Sequence, residues 1–129
     1  MNKILVEVSA GELLDKISIL EIKLEKIQDP EKLKYINDEY KILKKQLNLN
    51  INKDNKIDNL FKSLKEINYK LWVIEDDKRQ CEKNKNFGET FIKLSRDVHF
   101  LNDKRAMIKL SINDYTGSKI KEIKEYTDY

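Results

Sequence analysis

Glycine and proline are scarce in this chain of 129 residues, with three of the first and one of the second, and histidine and tryptophan occur once each. An all-β domain needs turn residues at regular short intervals, so this shortage excludes that class and favours helix. Cysteine is limited to Cys81. A lone cysteine excludes an internal disulfide and points to a reducing compartment, the cytoplasm. On a helix face it reads as a small apolar filler rather than a nucleophile.

Long apolar runs are missing as well. The stretch Met1–Val8 meets Glu7 after a short apolar run. That is too soon for a signal peptide or a membrane helix, so no membrane partner is expected. Charge of one sign is not concentrated anywhere: 26 basic residues are interspersed with 23 acidic ones, for a net charge of +3. A nucleic-acid-binding surface needs clustered cations, which this pattern does not supply. There is no Gly-rich phosphate loop, no paired-cysteine motif and no Ser/His/Asp set, so neither a metal nor a cofactor is expected. Glu21 with Glu25, and Glu75 with Asp76 and Glu82, imitate carboxylate metal sites but lack the accompanying histidines, and read as solvated helix faces.

What is present is helical patterning. Charged residues make up 38% and apolar residues 40% of a chain of single-domain length, 1–129, a composition suited to amphipathic helices around one core. Lys3–Val8 alternates and reads as a short strand. Ser9-Ala10-Gly11-Glu12 forms a capping box, after which Leu13, Ile17, Leu20, Leu24 and Ile27 predict a first helix over about 10–28. Asp29-Pro30 supplies a cap and a first-turn proline. The second helix carries Leu33, Ile36, Tyr40, Leu43 and Leu47, and 48–56 reads as a loop. The third carries Leu60, Leu64, Ile67, Leu71 and Ile74, continued by Lys78 and Cys81. A turn at 84–88 leads to the fourth, with Phe91, Leu94, Val98, Leu101, Arg105, Ile108, Ile112 and Tyr115, ending at Gly117.

The expected fold is therefore all-α, two consecutive antiparallel helical hairpins forming a four-helix bundle. The N-terminal strand is expected to pair with the tail around Lys119–Tyr126, a final helical turn through Ile120 and Ile123 being the competing reading. The second hairpin, with helices of about 27 residues, outruns the first. Its excess apolar length needs cover from the termini or from a second subunit, so a homodimer is expected, and Tyr126 and Tyr129 offer aromatic contacts at the chain's end.

Several motifs act together: Gly11-Glu12-Leu13 with Asp15-Lys16, Ile19-Leu20-Glu21-Ile22-Lys23, and Asp29-Pro30 with Lys32-Leu33. Leu71-Trp72, Ile74-Glu75-Asp76 and Arg79 follow, then Asn102-Asp103, Arg105-Ala106 and Lys109, and finally Ile112-Asn113, Gly117-Ser118 and Tyr126. Over nearly its whole length the chain resembles a bacterial family known only as a domain of unknown function. The resemblance implies a free-standing helical protein and, by gene neighbourhood, a link to surface-polysaccharide assembly. Lys78 and His99 depart from the pattern, which expects an apolar residue and a tyrosine there. His99 reads as a surface or boundary histidine.

Only three basic residues are arginine, and Arg105 takes a slot in an otherwise apolar stripe. A guanidinium there requires a carboxylate, for which Glu75 is the first choice and Glu21 the second. Helix three aligns Asn68, Trp72, Glu75, Arg79 and Glu82. Helix four adds Asn102, Lys109 and Asn113 on one flank, with Asp103 and Arg96 on the other, while Glu21, Lys16 and Lys23 edge helix one. One interpretation is a structural polar layer that fixes helix register in a non-enzymatic interaction or scaffold protein with an unknown protein partner. The other is a pocket for an anionic phosphate or carboxylate metabolite, in a small enzyme or binder. There Arg79, Arg105 and Lys109 hold the anion, Glu75 acts as acid or base, and Trp72 forms a wall.

Overall fold

The computed structural model describes residues 2–129 and contains four helices, α1 (Ala10–Lys26), α2 (Pro30–Asn50), α3 (Asn55–Lys83) and α4 (Glu89–Thr116). Helix accounts for 74% of the chain, and no strand occurs among the described residues. The all-α bundle is as expected.

Three of the helices start where a side-chain cap dictates. The Ser9 hydroxyl accepts the Glu12 N–H at 3.1 Å, Asp29 accepts the Glu31 N–H at 3.0 Å, and Asp54 accepts the Ile57 N–H at 2.8 Å. Each side-chain oxygen satisfies a donor that the first helical turn would otherwise leave orphaned. Pro30 opens α2, where its missing N–H costs nothing. Gly117 closes α4 at φ 70°, a left-handed cap that favours glycine.

α1 is the central helix, packing against α2, α3 and α4, whereas α2 pairs only with α1. The core gathers Leu13, Leu14 and Ile17 of α1 with Leu47 of α2, Ile57 and Leu64 of α3, and Ile112 of α4. α1 reaches ~26 Å and α3 ~43 Å at 1.5 Å per residue. Beyond about Leu71 and Leu101, α3 and α4 therefore run on as a bare hairpin. In that free half Cys81 is the buried residue, and Phe91, Leu94 and Val98 are only half-buried.

Three expectations are corrected. α2 continues to Asn50, and the loop shrinks to 51–54 because Ile51 donates back to the Leu47 carbonyl at 3.0 Å and packs on the core. Lys3–Val8 forms no strand, and none of its backbone groups bonds to the tail. The tail after Gly117 forms neither a strand nor a helical turn. Its polar groups are taken by α4, with Lys121 on Asp114 at 2.5 Å, Glu122 on Lys109 at 2.9 Å and Tyr129 on Asp103. It thus runs back along α4 as a strap of side-chain contacts.

Candidate functional site

The N-terminus of α1 lies directly against α4. A Cβ on Gly11 would come within 2.5 Å of the Lys109 carbonyl oxygen, so only glycine permits this approach. The Gly11 N–H donates to Asn113 Oδ1 at 2.7 Å, and the Ala10 N–H donates to Ser118 Oγ at 3.3 Å. With Ser9 serving Glu12, the free donors of the first turn of α1 are met largely by residues more than a hundred positions away.

One turn further on, Asp15 is buried at 1% exposure. Arg105 grips it with both sides of its fork, Nε to Oδ1 at 2.9 Å and an Nη to Oδ2 at 2.5 Å. Asn68 Nδ2 of α3 donates to Asp15 Oδ1 at 2.8 Å and to Ser18 Oγ at 2.7 Å, and Ser18 donates to the Asp15 carbonyl at 2.7 Å. The layer therefore joins α1, α3 and α4 through one carboxylate. The hydrogen bond to Asp15 raises the Arg105 pKa above its usual value, against the opposing effect of burial.

Lys109, also buried, sits beside this layer. It donates to Glu12 at 2.8 Å and to Glu122 of the tail at 2.9 Å, with Asp15 at 3.9 Å. Burial pulls its pKa down, but the bonds to Glu12 and Glu122 and the Asp15 charge together outweigh this, and the pKa ends above the usual value. An ammonium so surrounded stays charged and is no base or nucleophile at neutral pH.

The predicted residues are only partly brought together. Arg105 pairs with a carboxylate as expected, but the carboxylate is Asp15 and not Glu75. Glu75 is exposed, where hydration already satisfies it, whereas a buried Asp15 needs the guanidinium. Glu21 lies elsewhere, accepting from Tyr40 and from Lys65, each at 3.1 Å. Asn102 touches Arg105 only through a long 3.5 Å contact. Trp72, Glu75, Arg79 and Arg105 do line one cleft of about 330 Å³ whose apolar wall includes Ile19 and Ile22 of α1. Lys109 is not among its lining residues. His99 is exposed, its ring 4.4 Å from Phe100 and 5.3 Å from Tyr129.

Asp15, Ser18 and Glu12 are the participants that the apolar stripe conceals. The buried set Gly11, Asp15, Ser18 and Ile22 repeats at spacings of four, three and four, a second stripe rich in small and polar residues. Such a line beside a stripe of leucines is the available signal that α1 is covered on more than one side.

The family of unknown function DUF6165 matches residues 4–128. The chain belongs to that family, and the earlier resemblance to a domain of unknown function stands. No curated protein and no solved structure matches it. No described helix is long and apolar enough to cross a membrane.

Proposed function

We propose that this member of the family is a non-enzymatic helical interaction protein, working in the cytoplasm as a homodimer that presents a scaffold surface to protein partners. The observation that carries this reading is the state of α4 between Glu89 and Ile108, where no residue is buried. Phe91, Leu94, Val98 and Leu101 follow core spacing there, yet all four stay partly exposed. Exposed Phe87, Ile92 and Phe100 extend the same apolar surface. A contiguous surface of this kind marks an interface rather than a finished exterior. The Asp15 layer supports the same reading, because its groups satisfy one another and leave no reacting atom free. Sedimentation at micromolar concentration should give a particle of about twice the 15.4 kDa chain mass. A single species at the chain mass would defeat the proposal.

A second reading, a binder or small enzyme for an anionic metabolite, draws on the cleft beside Trp72. Arg79 there has no ion-pair partner among the described residues. Against it, Glu75 and Asp76 line the same cleft and offset the cations. A thermal-shift screen with phosphates, carboxylates and sugar nucleotides separates the two readings. Stabilisation that grows with ligand concentration and disappears in Arg79→Ala would favour the metabolite.

A further inference from the structure

Two incompletely covered apolar features remain among the described residues, and they match each other. The first is the arm formed by residues 2–8. It forms no regular element and makes no backbone hydrogen bond to any described residue, and Ile4, Leu5 and Val6 are 81%, 87% and 74% exposed. Three successive large apolar side chains held in water are costly unless something covers them. The second is an outer groove of about 450 Å³ between α3 and α4, lined by Tyr69, Val73, Ile74, Phe100 and Leu101, with no residue of α1 or α2 in its walls. Charges sit along its rim, Asp97 toward the free end of the hairpin, Lys104 toward its base and Lys70 between.

We propose that the arm of each copy docks in the outer α3–α4 groove of a second copy, so that two chains exchange arms. This rests on the homodimer reading and names the segment that makes it. Charge and length both fit. Lys3 and Glu7 flank the apolar run and stand ~13 Å apart in an extended chain. Asp97 and Lys104 flank the groove floor and stand ~10 Å apart along α4. Lys3 then meets Asp97, and Glu7 meets Lys104. Neither Lys104 nor Lys70 has an ion-pair partner among the described residues, whereas Asp97 holds only an exposed Lys93.

The placement of the arm favours a partner's groove over the chain's own. Ala10 and Gly11 are pinned to Ser118 and Asn113. Gly11 also abuts the Lys109 carbonyl, and from there Leu101 lies ~12 Å further along α4. Leu5 stands at most ~17 Å from Ala10 even when the arm is straight. The straight distance is thus within reach, but the groove opens on a side that α1 does not border, and the arm does not line it, its apolar residues standing exposed instead. A partner's groove carries no such tether.

The test compares the dimer dissociation constants of the full chain and three variants by sedimentation equilibrium, with helicity checked by circular dichroism. Ile4→Asp with Val6→Asp should weaken the dimer by about tenfold or more, and Lys104→Glu alone should act in the same direction. Combining Glu7→Lys with Lys104→Glu should return the constant to within about threefold of the parent. A dimer indifferent to the arm variant overturns arm exchange while leaving self-association through another face. Weakening by the arm variant without any response to Lys104→Glu overturns the groove. A parent that stays monomeric overturns both this inference and the homodimer on which it rests.

Discussion

α1 buries eight of its 17 residues, whereas α4 buries three of its 28, and those three are Lys109, Ile112 and Asn113 at the end facing α1. Both helices carry large apolar residues at helical spacing, so the difference does not lie in their patterns. It lies in the number of neighbours. α1 is enclosed by three helices, while α4 packs on α3 and α1 alone among the helices, its first part being touched besides by Tyr129 at His99 and Phe100. The base of the bundle also satisfies its buried polar groups through Asp15, Asn68 and Arg105. In the free half the Ser95 hydroxyl is buried without a partner among the described residues. An amphipathic helix becomes a core element only when enough surfaces close around it.

The largest expected effect probes the charged layer that only the base possesses. Arg105→Ala leaves Asp15 buried and uncompensated and should cost ~3–5 kcal/mol in urea unfolding. Glu75→Ala, on the exposed flank of α3, should stay within ~0.5 kcal/mol. Pairing Asp15→Leu with Arg105→Leu should recover much of the loss, since both the charge and its partner are then gone. Equal costs for Arg105→Ala and Glu75→Ala would dissolve the contrast between the two regions.

A purely apolar comparison comes next. Leu14→Ala, at 1% exposure in the central helix, should cost ~2–5 kcal/mol through lost burial and a cavity. Leu94→Ala, half-covered in the free half, should cost ~1 kcal/mol in dilute solution. Its cost should rise with protein concentration if a second copy completes the hairpin. Native-state hydrogen exchange reads the same difference without mutation, because amides beyond about Leu71 and Leu101 should open at lower free energy than those of α1.

Gly11→Ala tests the closeness of the α1–α4 contact. The added methyl meets backbone, which cannot move aside as a side-chain tip could, so a loss of ~1–3 kcal/mol is expected. An alanine variant as stable as the parent would mean that α1 and α4 can separate freely at this point.

The smallest effect concerns the tail strap, which borders both regions. The Lys109 hydrogen bond lowers the Glu122 pKa below the ordinary carboxylate value, with burial opposing it. A depressed folded pKa gives a contribution that is present above the unfolded value and is lost as pH falls through the folded one. Glu122 is nearly half exposed, so solvent screening keeps the contribution small. Limited proteolysis after Lys119 or Lys121 should quicken as the pH drops below that of an ordinary carboxylate, and Glu122→Gln should abolish this dependence. A cleavage rate that does not change with acid would detach the strap from Lys109.

Much of the fold was legible because its signals are local. Ser9, Asp29-Pro30 and Gly117 fix helix ends through atoms within a few residues, and the stripes from Leu13 to Ile27 and from Leu60 to Cys81 announce α1 and α3 directly. The unusual slot of Arg105 was legible for the same reason, since a charge in an apolar stripe requires a partner wherever it falls. The identity of that partner was not. Glu75 and Asp15 are both carboxylates near helix faces, and only the close approach of α1 to α4, permitted by the missing Cβ of Gly11, brings one of them within 2.9 Å of the guanidinium.

By itself, then, the sequence determined the helices, their starts, their order in two hairpins, the greater length of the second pair and the need for an acid beside Arg105. The tertiary structure decided that α1 is the helix enclosed, that Asp15 is the acid, that Lys3–Val8 makes no hydrogen bond to the described residues and that the tail binds α4 through side chains. The physical reason is range. Capping and periodicity are settled within one or two turns of chain, whereas burial and ion pairing depend on which surfaces meet across separations of 90 residues or more.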